Sequence, residues 1–156
     1  MKLRFKQRFF SWLDSYDVFD DAGNTVFSVE GKLSLGHCLH IHNEFGVHIA
    51  TLRERIFTFL PAFEMYVGDT LVGTVKKEFT FFSPRFRMEC RDWTVEGDFF
   101  EWDYRILRGD GRCVAVVEKE LFRMTDTYTI DVADEADALA ALLVVLAIDA
   151  EKCSRD

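Results

Sequence analysis

The sequence predicts a mainly β domain: a closed antiparallel barrel of about twelve strands around a buried, hydrophobic C-terminal helix. Three observations carry the prediction. Every residue from Ala138 to Ile148 is apolar. Short β-prone runs flank a series of turns rich in Gly, Asn and Asp. Those turns recur almost evenly, with Gly23, Gly46 and Gly68 about 22 residues apart and Gly111 about two such steps further on, which is the regularity of a meander.

At the N-terminus, Lys2, Arg4, Lys6 and Arg8 alternate with Leu3, Phe5, Gln7 and Phe9. A period of two puts the first set on one face of a strand and the second on the other, so Lys2–Phe9 reads as a half-buried strand with a basic outer surface. Ser15–Asp20 and Thr25–Val29 flank Asp21-Ala22-Gly23-Asn24, a hairpin signal. Cys38–His42 and Val47–Leu52 repeat the figure around Asn43-Glu44-Phe45-Gly46. So do Phe63–Val67 and Leu71–Lys77 around Gly68-Asp69-Thr70, and Tyr104–Leu107 and Cys113–Glu118 around Arg108-Gly109-Asp110-Gly111. The even spacing calls for a further turn near residue 90, where Cys90-Arg91-Asp92 separates Arg85–Glu89 from Trp93–Glu96. Pro61 and Pro84 fall between hairpins, where no ladder hydrogen bond is lost. Thr127–Val132 is the last strand.

The closing helix is read from Asp134 to Glu151, with Asp134 as its N-cap and Asp134, Glu135 and Asp137 suiting the positive end of its dipole. An all-round apolar helix must be covered on every side. The run is too short for a membrane span, which needs about 20 residues. Asp149 and Glu151 are expected to reach solvent at its far end. A barrel of about eight strands fills with its own side chains, whereas a wider one has room for a helix about 10 Å across. Alanines at 136, 138, 140, 141 and 147 keep this helix slim. An open sandwich with the helix on one face is the alternative, but it leaves one side of the helix apolar and wet.

The chain has 156 residues, sixteen of them Phe, and a net charge of −8. It is expected to form one domain over residues 1–156 with a substantial core. The negative charge argues against nucleic acid, which requires a basic footprint, and confines any attraction to an anionic membrane to a local patch. Cys38, Cys90, Cys113 and Cys153 include no Cys-x-x-Cys pair. MKLRFKQRFFSWL lacks a continuous apolar stretch, so no signal peptide and a reducing cytosol with free thiols are expected. The terminal Cys-Ser-Arg-Asp matches no prenylation box.

Several constellations bear on function. Lys2, Arg4, Lys6 and Arg8, with Lys76, Lys77, Arg85 and Arg87, are the candidate anion site, since each Lys or Arg beside a lipid surface contributes about 1 kcal/mol. The plainer reading is a solvated strand face that discourages aggregation. His37, His40, His42 and His48 crowd together, and Cys38, His40 and His42 share a strand face. No further thiol or carboxylate completes a tetrahedral set, so no metal is expected. Glu96, Asp98, Glu101 and Asp103 have a spacing that would suit a cation or an acid–base pair, yet a solvated strand face accounts for them. No Gly-x-Ser-x-Gly, P-loop or Gly-x-Gly-x-x-Gly occurs, and no catalytic residue or cofactor is expected.

The segments SYDVFDDAGNTVFSVEGK, LHIHNEFG, VHIATLRER, FEMYVGDTLVGTVKKEF, DWTVEGDF, YRILRGDGRCVAVVEKE and TYTIDV, followed by an apolar helix ending in AID, together resemble the LURP-one-related proteins. These form a branch of the Tubby C-terminal-like superfamily, which also holds the phospholipid scramblases. The resemblance spans essentially the whole chain and is most specific at Trp93–Phe99 and Tyr128–Asp131. It implies a twelve-stranded barrel around a C-terminal helix. Tubby relatives bind phosphoinositides through basic surface residues, and scramblases act at membranes. The chain lacks a cysteine-rich palmitoylation run, a Pro-rich arm and a membrane segment after the helix, so the resemblance does not imply scrambling. The expectation is a non-enzymatic binding module for anionic lipid headgroups, cytoplasmic and peripheral to the membrane. The alternative is a protein–protein interaction or structural module with no small ligand.

Overall fold

The alternation at the N-terminus becomes strand β1 (Lys2–Lys6), whose Leu3 and Phe5 are buried while Lys2 and Lys6 are exposed. The computed structural model describes residues 1–6, 15–78, 85–89, 91–98, 101–120 and 127–153. The strands that follow are β2 (Ser15–Phe19), β3 (Thr25–Lys32), β4 (Cys38–Asn43), β5 (His48–Glu54), β6 (Ala62–Val67), β7 (Thr70–Glu78) and β8 (Arg85–Glu89). Then come β9 (Trp93–Asp98), β10 (Asp103–Leu107), β11 (Cys113–Glu120) and β12 (Thr127–Val132). A 3₁₀ turn (Glu135–Asp137) leads into α1 (Ala138–Cys153). Each strand pairs antiparallel with its neighbours in sequence, and β1 pairs with β12, so the sheet closes into a barrel without edges. Arg8 and the rest of the first strand's expected tail lie outside the described residues, as does Cys90.

The up-and-down order creates two mouths. At the helix-start mouth, β2 turns into β3, β4 into β5, β6 into β7, β8 into β9 and β10 into β11, and β12 hands over to α1. At the helix-end mouth lie the last residues of β1, β3, β5, β7, β9 and β11. Three of the start-mouth hairpins share one construction. The Gly23 N–H donates to Asp20 O, and the Asp20 N–H to Asn24 O. Asn43, with Gly46 and Val47, repeats this geometry, and Arg108, with Gly111 and Arg112, does so again. Each is a tight turn closed by a glycine at positive φ, 83° at Gly23 and 76° at Gly46. Register shifts at Val18/Phe19, Ile41/His42 and Ile106/Leu107 mark the accompanying bulges.

The helix fills the lumen. From Ala141 to Ile148 no residue exceeds 1% exposure. The inward side chains of Leu3, Val18, Val29, Ile41, Leu52, Met65, Met88, Ile106 and Ile130 surround it. Asp134 caps the helical entry by accepting the Ala136 N–H at 3.0 Å.

Its far end corrects the sequence expectation. Glu151 does not reach solvent: it is 4% exposed and pairs with Lys77 Nζ at 2.8 Å inside the helix-end mouth. Asp149 is only half-buried. An acid at a helix C-terminus opposes the dipole, and the Lys77 ammonium offsets both charges at once. Beside this pair the mouth is lined by rings: Trp102 lies 4.1 Å from Tyr128, and Phe5 lies 5.6 Å from Tyr128 and 6.1 Å from Tyr16. Burial pushes the Tyr104 hydroxyl up, and the nearby Asp149 charge adds to the effect.

Candidate functional site

Strand parity decides which basic residues can serve a surface site. On β1, Lys2 and Lys6 are exposed and make no ion pair among the described residues. Arg4 stands between them and is engaged, 3.2 Å from Asp21 and 3.5 Å from Glu120. Across the ladder Lys2 faces Asp131 and Lys6 faces Thr127. The outer wall at β1 therefore offers two available ammonium groups flanking an arginine already held by carboxylates.

The second half of the expected basic cluster stands elsewhere. In the closed ring, β7 is separated from β1 by five strands in either direction, so the two are on opposite walls. Lys76, Lys77, Arg85 and Arg87 thus form no single patch with Lys2, Arg4 and Lys6. Lys76 pairs with Glu89 at 2.9 Å and holds that carboxyl below the usual range, while Arg87 sits 3.7 Å from Glu78. Lys77 is removed from the surface altogether. Adjacent residues in a strand point to opposite faces, and with Lys76 outside, Lys77 joins Val75 on the core side. The side chain of Arg85 lies outside the described residues.

The histidines do gather. The β4–β5 register sets His42 opposite His48. The rings of His40 and His48 stack at 4.1 Å and 8°, and His42 lies 5.5 Å from His48. His48 Nε2 is 2.9 Å from both Ala50 O and Thr51 Oγ1. Burial holds His40 below the ordinary value of 6.5, and the charges of His48, Lys32 and His42 add to this. His37 sits apart, 3.4 Å from Glu54, and is also lowered because burial outweighs the attraction of that carboxylate. Among the described residues no group of three His, Cys, Asp or Glu side chains is arranged to hold a metal. Cys38 and Cys113 are free thiols, Cys38 buried and Cys113 exposed. The Cys153 side chain lies outside the described residues.

The acids Glu96, Asp98, Glu101 and Asp103 are all exposed along β9, its turn and β10. Asp98 faces Asp103 directly, Asp103 faces Glu118, and Glu96 faces Arg105. Directly opposed like charges destabilise a ladder and survive only where water screens them. This is an acidic outer wall rather than a convergent pair.

A further surface escaped the sequence reading. Between β3 and β4, residues 33–37 present Leu33 and Leu35, 87% and 81% exposed. Between β5 and β6, residues 55–61 present Phe57 and Phe59, 99% and 98% exposed. The first loop is tied to the end of β5, where the second begins, the His37 N–H donating to Glu54 Oε2 and the Glu54 N–H to His37 O. The two loops adjoin, since a Cβ on Gly36 would meet Ile56 Cγ2 at 3.1 Å. The available signal was Ile56-Phe57-Thr58-Phe59-Leu60, an apolar run just before a proline and outside every hairpin.

The described residues contain no helix long and apolar enough to cross a membrane. The chain is 27% identical over 150 residues to the uncharacterized protein YxjI of Bacillus subtilis (strain 168), which covers 96% of this chain and 92% of that protein. With its closed twelve-stranded barrel, its C-terminal helix and a family model that matches residues 1–149, the chain belongs to the LURP-one-related family.

Proposed function

We propose that this barrel is a non-enzymatic module that binds anionic lipid headgroups on its outer wall. On this reading it works in the cytoplasm, peripheral to a membrane. The helix occupies the lumen, so a ligand meets the outside of the barrel or a mouth rather than a convergent interior pocket. One observation carries the choice of ligand: Lys2 and Lys6 are exposed on β1 without carboxylate partners among the described residues, in a chain of net charge −8. Two ammonium groups supply about 2 kcal/mol at an anionic surface, so binding is weak and fades within a Debye length of about 8 Å at physiological salt.

The test is co-sedimentation with phosphatidylcholine vesicles, with and without phosphatidylserine or a phosphoinositide, at low and physiological salt. Lys2→Glu with Lys6→Glu is the informative variant. Reversing Arg4 would instead bring a third acid against Asp21 and Glu120. Binding that requires anionic lipid and drops in the double variant supports the reading. A wild type that ignores anionic vesicles at low salt ends it.

A further inference from the structure

We infer that the adjoining loops 33–37 and 55–61 form a membrane-inserting surface at the helix-end mouth, their occupant being the interfacial layer of an anionic lipid bilayer. The inference rests on the lipid reading above and gives it a second, apolar point of contact. Monomeric proteins do expose single apolar side chains, but four on two adjoining loops, tied where β5 ends, concentrate apolar surface at one mouth. Phe57 has φ 63°, a conformation costly for a bulky residue, and its ring is almost wholly in solvent. Burial in the protein does not repay that cost.

Charge selects the occupant. The chain has 27 acidic residues, yet residues 33–37 and 55–61 contain none. The carboxylates at their bases are already engaged: Glu30 with Lys32 at 2.7 Å, Glu54 with His37 and Glu64 with Arg55 at 3.6 Å. Arg53 is exposed and makes no ion pair among the described residues. Apolar tips free of acids, with the exposed Arg53 at their base, complement an interface where aromatic rings sit at headgroup depth and lysine or arginine meets the phosphates. A folded protein partner would need shaped pockets for these side chains, whereas a fluid lipid surface moulds itself to protruding tips.

The experiment compares wild type, Phe57→Ser with Phe59→Ser, and Lys2→Glu with Lys6→Glu. Each is assayed against phosphatidylcholine vesicles and phosphatidylcholine–phosphatidylserine vesicles, after circular dichroism confirms the wild-type fold. Loss of two inserted rings is expected to weaken partitioning at least about tenfold. The residual salt-resistant binding should vanish with it. If the Phe variant binds anionic vesicles as the wild type does while the Lys variant fails, the loops do not insert and the headgroup reading stands. If the Phe variant fails and the Lys variant binds normally, insertion stands and the β1 headgroup site falls. If wild type binds neither vesicle, both fall. Concentration-dependent self-association abolished by the Phe substitutions, without vesicle binding, would assign these loops to a second copy of the chain and overturn the inference.

Discussion

The two mouths of this barrel are held by different means. At the helix-start mouth the connections are short, and although Phe45 and Val47 stand exposed there, the carboxylates and amides are spent on backbone N–H groups: Asp20 on Ala22 and Asn24, Asn43 on Phe45 and Val47, Asp110 on Arg112. The Gly109 N–H donates to Asp92, tying neighbouring turns together. Asp137, buried at the helix entry, receives both Arg91 and Arg108, and both guanidinium groups lie over the Trp93 ring. At the helix-end mouth a buried ion pair, Lys77 with Glu151, holds the helix, and the two fully described loops carry their apolar side chains into water. The start mouth ties its polar side chains into its turns while still exposing Phe45 at 81%. The end mouth concentrates Leu33, Leu35, Phe57 and Phe59 on two adjoining loops, all at least 81% exposed, and that concentration is the sign of a surface kept for something else.

Substitutions can break this contrast, and the largest effect belongs to what both mouths enclose. Leu143→Asp or Ala141→Trp should abolish folding, because an axial charge or an extra indole has nowhere to relax. A cooperative thermal transition for Leu143→Asp by circular dichroism would contradict burial of the helix. Next comes the end-mouth pair. Glu151→Ala leaves the Lys77 ammonium buried and should cost about 3–5 kcal/mol, whereas Lys77→Met with Glu151→Leu should recover most of that loss. Urea melts of the single and double variants check this, and equal losses in both would refute the pairing. The start-mouth clamp should matter less. Asp137→Asn releases two guanidinium groups that are already more than a third exposed and can hydrate, so a loss of about 1–2 kcal/mol is expected in the same assay.

The smallest effect concerns pH. His37 and His40 have folded-state values below 6.5, so the unfolded chain takes up their protons first as pH falls. Stability should therefore decline as pH drops below about 6.5 and level off once the folded-state values are passed. Glu54 faces His37, and His48, Lys32, His42 and Glu30 face His40, so the step reflects these neighbours as well. Differential scanning calorimetry from pH 7.5 to 5 should show a falling Tm whose slope is reduced in His40→Gln. A Tm that rises on acidification would reverse the assignment.

The fold was legible because its signals are local and repeated. Alternation in Lys2–Lys6, a turn glycine closing each of several hairpins and one run without polar residues each point to the same architecture. The functional surface was less so, for two physical reasons. Listing Lys76 and Lys77 together ignored strand parity, which already put one of them beside Val75 in the core. Joining β1 residues to β7 residues ignored the ring itself, since a sequential meander of twelve strands sets the first and seventh on opposite walls. Glu151 escaped because its partner, Lys77, is 74 residues away in the chain and becomes a neighbour only once the barrel is closed. The loop tips escaped because apolar residues between strands read as ordinary core until the structure shows them facing out.

The most direct measurement is amide hydrogen exchange with and without phosphatidylcholine–phosphatidylserine vesicles, which reads both mouths and the helix together. Residues 138–151 should exchange slowest in both conditions, through global unfolding alone. Protection gained with vesicles should fall on residues 33–37 and 55–61 and leave the turns at 20–24, 43–47 and 108–112 unchanged. Vesicle protection at those turns instead, or a helix that exchanges faster than the strands around it, would contradict the division between a locked mouth and a working one.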